Sequence, residues 1–214
     1  MTLDTFTGTP THPRGKGRRI TGGKLTGQKP ALKTKEVWSI RARLELTHRV
    51  RDLALFNLAI DSKLRGCDLV RVRVEDVAAG GAVKPRAAII QKKTGRPVQF
   101  EITDQTRRTL GDLIRHHNLA ASDFLFPSRL AGSPHLSTRQ YARIVQGWVG
   151  SIGLNPATYG THSLRRTKAA LIYRKTGNLR AVQLLLGHTK LESTVRYLGV
   201  EVDDALVISE GVDL

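Results

Sequence analysis

With 214 residues the chain has room for one ordinary domain, or for one domain and an arm. Hydrophobic residues make up 40%, enough for a globular core, but 35 Lys and Arg against 18 Asp and Glu leave a formal net charge of +17. Such a field draws polyanions, nucleic acid first among them. The rival is an anionic membrane, yet no apolar run approaches the roughly 18 residues that cross a bilayer. The first residues lack the basic-then-apolar pattern of a secretory signal. A single cysteine, Cys67, excludes an intrachain disulfide and a Cys-based zinc site. The expected location is the cytoplasm.

Residues 1–33 read as a flexible basic arm. Up to position 35, Arg14, Lys16, Arg18, Arg19, Lys24, Lys29, Lys33 and Lys35 stand against Asp4 alone. Such a stretch buries too little apolar surface to offset its ordering entropy. From Thr34, taken as an N-cap, Val37, Ile40 and Leu44 recur at helical spacing. Val50 to Ile60 is apolar on nearly every side, the pattern of a central buried helix. Asp61 to Gly66 breaks it, and Arg65 lies in the break. Three strand-like runs follow: Leu69 to Val74, Ala87 to Gln91 and Pro97 to Ile102. Thr94-Gly95-Arg96 turns between the last two, so Lys93 projects from a hairpin.

The rest reads as helical. Leu110, Leu113, Ile114 and His117 share a stripe. Ser137-x-x-Gln140 is a capping box ahead of Tyr141, Ile144, Val145, Trp148 and Val149 on one face. His162 and Arg165, three apart, are neighbours on a helix surface. Asn178 caps a short helix that turns Val182, Leu185 and Leu186 inward, and Gly187 stops it with His188 at the exit. Thr189-x-x-Glu192 is a second capping box, and its helix carries Tyr197. Residues 200–214 form an acidic and apolar tail in which Val200, Val202, Leu206, Val207 and Ile208 stand out. The expected fold class is α+β: mainly α-helical, with a small three-stranded antiparallel sheet at one edge.

Two arginines, a lysine and two histidines are suited to hold and neutralise a phosphodiester while a tyrosine attacks it. The planar guanidinium fork binds two non-bridging oxygens and keeps its charge, which makes Arg65 and Arg165 the candidates for that task. Other histidines (His12, His48, His116, His117, His135) carry no such context and read as structural. Tyr141 lies on an apolar stripe and reads as core. Tyr159 precedes Gly160 in a loop, and Tyr173 sits late in the His162 helix. The two histidines have no carboxylate or Cys partners at ligand spacing, so no metal site is expected. No P-loop, dinucleotide fingerprint, Gly-x-Ser-x-Gly or two-metal carboxylate cluster competes.

His-Ser-Leu-Arg-Arg at 162–166, Leu-Leu-Gly-His-Thr at 185–189 and Tyr197 nine residues after His188 resemble the tyrosine recombinase (phage integrase) family. Arg65 in Lys-Leu-Arg-Gly and Lys93 in Lys-Lys-Thr-Gly extend the resemblance, which runs from about Thr34 to Tyr197. It implies a catalytic domain over 34–199 that exchanges DNA strands through a 3′-phosphotyrosyl link to Tyr197, with no cofactor. Arg65, Arg165 and His188 would hold the phosphate and His162 would take the tyrosine proton or help bind. Lys93 would protonate the leaving 5′ oxygen. Lys92 competes with it, although family members carry the lysine just before a Thr-Gly or similar turn. The resemblance further implies double-stranded DNA as partner and four protomers on two sites, with the tail docked on a neighbouring protomer. Whether an accessory DNA-bending or partner protein joins them is left open.

Two departures stand out. Asp68 takes the place of a Glu common three residues after the first arginine, and the helical domain that usually precedes the catalytic one is not seen ahead of Thr34. Three other readings remain: a type IB topoisomerase, a non-catalytic DNA-binding module, and a basic RNA-binding or ribosome-associated protein.

Overall fold

The computed structural model describes residues 29–130 and 132–199, together with Glu210. Helix α1 (Thr34–Leu46) buries Val37, Ile40 and Leu44, and its first turn is closed by the Lys33 backbone N–H donating to Glu36 at 2.7 Å. The cap is therefore Lys33, one residue ahead of the expected Thr34. Lys29 to Lys33, on the arm side of the expected boundary, pack against the body of the domain. Leu32 is buried, and its N–H donates to the Thr167 hydroxyl at 3.0 Å.

Helix α2 (Val50–Ser62) is the centre of the domain. Ala54, Leu55, Phe56, Leu58, Ala59 and Ile60 are all buried, as an apolar run on every face of a helix requires. Around it pack α1, α5 (Asp104–His116), α7 (Thr161–Thr176) and strand β4 (Pro97–Glu101). Lys63 ends the helix in the left-handed region at φ 54°, and the short helix α3 (Gly66–Leu69) begins just after Arg65. The chain is thus bent sharply on either side of Arg65.

A buried ionic cluster fixes that bend. Asp61 accepts from the Lys168 ammonium at 2.7 Å, the Thr103 N–H at 2.9 Å and the Thr103 and Thr106 hydroxyls at 2.7 and 2.6 Å. Lys63 donates to Glu101 at 3.0 Å, and Lys168 reaches the same carboxylate at 2.6 Å. Burial by itself would raise the Asp61 carboxyl, but the Lys168 hydrogen bond and charge and the two threonines outweigh it and hold it below its usual range.

The sheet differs from expectation. The run from Leu69 to Val74 is not a strand: Leu69 closes α3, and Val74 opens the short helix α4 (Val74–Val77). Its alternation is real, with Val70, Val72 and Val74 buried and Arg71 exposed. The extended piece, however, is too short to form a ladder. It makes a single bridge, Arg73 to Phe124, flanked by backbone bonds to residues 121–125.

Instead a hairpin of β1 (Ala78–Ala79) and β2 (Ala82–Val83) closes over Gly80-Gly81, both at positive φ as its tight turn demands. That Gly-Gly signal went unread in the sequence. Strands β3 (Arg86–Ile90) and β4 pair antiparallel as expected, Ile90 opposite Pro97, so the described residues hold two two-stranded sheets rather than one of three.

In α5, Leu110 and Leu113 are buried, while His117 lies exposed just past the helix end rather than on its stripe. Helix α6 (Thr138–Ser151) opens on Ser137, whose hydroxyl accepts from the Gln140 N–H, and buries Tyr141, Val145, Trp148 and Val149. Helices α7, α8 (Leu179–Leu186) and α9 (Leu191–Leu198) share a small core of their own around Ala169, Val182 and Leu186. Asn178 caps α8 as expected. The Thr189–Glu192 capping box does not form, because the N-cap of α9 is Lys190, one residue later. The tail residues Val200, Val202, Leu206, Val207 and Ile208 lie outside the described residues.

Replacing Asp61 with Asn should remove about 3–5 kcal/mol, the usual cost of breaking a buried ion pair from one side, read by urea denaturation. The Asp61 carboxyl titrates below its unfolded value, so its stabilisation is full above that value, near 3.8, and is lost as pH falls through the depressed folded value. The acid limb of the stability curve should therefore flatten in Asp61→Asn, and an unchanged limb would rule the cluster out as its source.

Candidate active site

Helix α7 is the platform. The Gly160 N–H donates to the Ser163 hydroxyl at 3.1 Å in its first turn, and His162, Arg165 and Arg166 rise from its beginning. The Arg165 side chain is almost wholly buried, and its Nη2 donates to the Leu186 carbonyl at 2.8 Å, at the end of α8. Arg65 lies across from it and donates from Nη1 to the Gln91 side-chain oxygen at 2.5 Å. The Gln91 amide in turn reaches Leu186 O at 3.4 Å. One carbonyl therefore aligns both arginines, Arg165 directly and Arg65 through Gln91.

Gly187 makes that meeting possible. It ends α8 at φ 64°, and a Cβ there would strike the Val98 side chain and crowd the Gln91 amide. The next residue, His188, leaves the helix with its N–H on Gln183 O and its Nδ1 3.1 Å from the Thr194 hydroxyl. Its ring meets Tyr197 edge to face, centroids 5.4 Å apart.

Tyr197 is half-buried on α9. Its hydroxyl donates to the His162 backbone carbonyl at 3.4 Å, a contact with the main chain of His162 rather than with its ring. The guanidinium carbons of Arg166 and Arg165 lie 4.8 and 5.6 Å from its ring centroid. Of the other tyrosines, Tyr141 is sealed in the main core, where burial pushes its hydroxyl far above the ordinary range. Tyr173 packs in the α7–α9 core, and Tyr159 lies against the main core.

Lys93 is exposed in the loop between β3 and β4. The loop is held by Gln91, whose carbonyl accepts from the Thr94 and Gly95 N–H groups. Lys92 and Lys93 both lie past the end of β3 and both are exposed. The Lys92 N–H donates to Asp68 at 2.9 Å, which hangs the loop on α3. The structure thus brings Arg65, His162, Arg165, His188 and Tyr197 together, with Lys93 in the loop beside them.

The sequence reading passed over Gln91 and Arg166. A polar residue that ends an apolar strand directly before Lys-Lys was the signal for Gln91. Arg166 was visible in the motif but had no stated task.

The electrostatics are one-sided. Each ion pair among the described residues involves groups other than Arg65, Arg165 and Arg166, and the buried Asp68 carboxylate acts on Arg165 through its charge without a salt bridge. Nε of Arg165 and Nε of Arg166 are buried without a hydrogen-bond partner. Burial, then Arg165 and Arg65, push the His188 imidazole down to about 4. Burial and the three arginines lower His162 as well. For Tyr197, burial raises the phenol, and the opposing pull of Arg165, Arg166 and Arg65 only partly offsets it. At neutral pH the site therefore holds neutral imidazoles, an intact phenol and a net excess of positive charge, a cradle for an anion. Among the described residues no three His, Cys, Asp or Glu side chains converge to hold a metal ion, and no helix is long and apolar enough to cross a membrane.

The model of the phage integrase family matches residues 30–203, most of the chain, and the chain belongs to that family. It is 27% identical over 158 residues to the probable integrase/recombinase YoeC of Bacillus subtilis (strain 168), covering 74% of this chain and 82% of that protein. To a tyrosine recombinase of Pseudothermotoga lettingae it is 31% identical, over 70% of this chain but only 50% of that protein. Other relatives are matched over a similar share: the chain spans 48% of the Rhizobium meliloti tyrosine recombinase XerD. The fold is that of the XerA recombinase crystal structure, with a TM-score of 0.69 at 17% identity over 85% of this chain and 64% of that one. XerH bound to its difH substrate gives 0.68 at 18% identity, over 86% of this chain and 54% of that one.

His188 should stay neutral down to about pH 5 in the free protein, followed by its imidazole resonances in NMR. A bound phosphodiester offsets the charge of Arg65 and Arg165, so the titration should move upward on adding DNA. A His188 that already titrates near 6.5 without DNA would contradict this electrostatic picture.

Proposed function

We propose that the chain is a tyrosine-type site-specific recombinase, a catalytic domain over residues 34–199 that breaks and rejoins double-stranded DNA through a 3′-phosphotyrosyl intermediate. The observation that carries this reading is that Arg165 and Arg166 lie over the ring of one tyrosine, with Arg65 tied to Arg165 through Gln91 and Leu186 O, and none of the three in a salt bridge among the described residues. A buried, unpaired guanidinium is costly unless an anion completes it, and a phosphodiester supplies that charge beside a nucleophile. Relatives named as tyrosine recombinases, and the DNA-bound XerH, support the same reading.

Arg65 and Arg165 hold the non-bridging oxygens and stabilise the charge that grows in the pentavalent transition state. His188, its Nδ1 turned to Thr194, presents Nε2 to the same phosphate. The Tyr197 phenol is intact at neutral pH, so it needs a base, and His162, held neutral by burial and its arginine neighbours, takes the proton. The Tyr197 oxygen then bonds to phosphorus as the bond to the 5′ oxygen breaks, and Lys93 gives the departing oxygen its proton. The DNA is left joined through its 3′ phosphate to Tyr197, with a free 5′ hydroxyl. Attack by a 5′ hydroxyl of a partner duplex reverses the step and completes strand exchange. Bond energy is conserved in the tyrosyl ester, so the cycle requires no cofactor. Four protomers on two DNA sites perform the exchange, in the cytoplasm.

Tyr197→Phe should abolish the covalent adduct on a nicked suicide substrate while DNA binding stays within a few-fold. An adduct that survives in this variant would move the nucleophile elsewhere. Relaxation of supercoiled plasmid without recombinant products would favour topoisomerase activity instead. Lys93→Ala should slow cleavage by about two to four orders of magnitude, the usual span for a general acid. A 5′-bridging phosphorothiolate, whose leaving thiolate needs no proton, should restore most of the rate; rescue of Lys92→Ala instead would transfer the role to its neighbour.

Residues 1–28 carry five cations, Arg14, Lys16, Arg18, Arg19 and Lys24. If these follow the duplex backbone, removing them should lower the slope of log affinity against log salt by up to about 4.5, at about 0.9 for each phosphate neutralised. An unchanged slope would take the arm off the DNA.

A further inference from the structure

We propose that Arg166, the second arginine of the His-Ser-Leu-Arg-Arg run, is a positioning residue for Tyr197 and ties the nucleophile to the chain segment that enters the domain ahead of α1. The inference rests on reading Tyr197 as the nucleophile and concerns what surrounds its ring rather than what binds the phosphate.

Arg166 is 8% exposed, and its guanidinium carbon lies 4.8 Å from the Tyr197 ring centroid, nearer than that of Arg165. The two arginines are held differently. Arg165 is turned towards the end of α8, where Leu186 O accepts from it. Arg166 is turned to the opposite side, and its Nη1 donates to the backbone carbonyl of Lys29. Lys29 is itself anchored, its Nζ donating to Ala157 O at 2.8 Å and to Tyr159 O at 3.1 Å in the loop before α7. Gly160 completes the seat, since a Cβ there would come within 3.1 Å of the Lys29 side chain. Three residues on, the buried Leu32 binds Thr167 through its N–H. The entering segment is thus stitched to the first turns of α7 on both sides of the guanidinium that covers the tyrosine.

A cation over an aromatic face is attracted to its π density. That density rises as the phenol loses its proton, so the attraction strengthens on the way to the phenolate. Arg166 favours the ionised nucleophile through the ring and holds the ring plane, while the oxygen stays free to meet phosphorus. The other groups that face Tyr197 are Arg165 and His162 on α7, His188 ahead of α9, and Arg65 after α2. Among the cations, Arg166 alone is fastened to the entering segment. A shift of Lys29 O therefore moves charge at the nucleophile without touching the phosphate cradle.

The test compares wild type with Arg166→Gln, Arg166→Lys and Lys29→Ala in the full chain. Two quantities are read: single-turnover cleavage of a suicide substrate at saturating protein across pH, and titration of the Tyr197 phenol by NMR of ring-labelled tyrosine, assigned through Tyr197→Phe. Arg166→Gln should slow cleavage by about 3- to 30-fold, the span a desolvated cation–π contact supports. It should also move the phenol titration upward. Arg166→Lys, which keeps the charge, should recover part of both, and Lys29→Ala should shift both in the same direction by less. Should Arg166→Gln fail to fold, these two milder variants carry the test. A slower rate with an unmoved titration would reduce Arg166 to a structural brace, and an unchanged rate would overturn the proposal. The phenol titration does not depend on cleavage. A shift there in a protein that forms no adduct would uphold the coupling while rejecting the recombinase reading.

Discussion

The buried cluster of Asp61, Lys63, Glu101 and Lys168 is the constraint on which the rest of the domain depends. Asp61 and Lys63 are buried, Lys168 and Glu101 only partly, and burying the first two costs desolvation that close pairing offsets. Each belongs to a separate feature: Asp61 to the end of α2, Lys63 to the bend that follows, Glu101 to the end of β4, and Lys168 to the middle of α7. Pairing them holds the end of the central helix, the larger hairpin and the platform helix in one register, with the start of α5 drawn in through Thr103 and Thr106. Arg65 follows Lys63 by two residues, and Arg165 precedes Lys168 by three. The distance between the two arginines is therefore set by an ionic lock that touches neither of them.

Beside that lock lies its electrostatic opposite. In the cluster every cation faces a carboxylate, whereas the arginines around Tyr197 face backbone carbonyls and an amide. Leu186 O and Lys29 O take one arginine each, and the Gln91 oxygen takes the third. Neutral acceptors orient a guanidinium without cancelling its charge, so the field stays available to an incoming anion. Burial, aided by the same field, keeps both imidazoles neutral, and the field opposes the effect of burial on the phenol.

Much of the helical framework was legible in the chain. Helix α2 announced itself because an apolar run on all faces has no stable place except the centre, and α6 and α8 carried their own caps in Ser137 and Asn178. The sheet was harder. Val70, Val72 and Val74 alternate as a strand would, yet alternation reports which side chains are buried and not whether a partner strand lies alongside. The partner of Arg73 proved to be Phe124, some fifty residues on, in a segment with no strand signal. The Gly80-Gly81 turn had a readable signal, but its strands are two residues each, too short to show periodicity.

What the sequence determined by itself was the inventory of reactive groups and their local placement. Helical spacing puts His162 and Arg165 on one face, and a glycine stop puts His188 at a helix exit; both follow from backbone geometry within a few residues. What only the tertiary structure decided was how those groups are held. Gln91 between Arg65 and Leu186, Arg166 over the tyrosine ring and Lys29 against α7 join positions up to 137 residues apart. Which polar group meets which is settled when burial removes water as the alternative partner, and that happens only once distant segments have packed together.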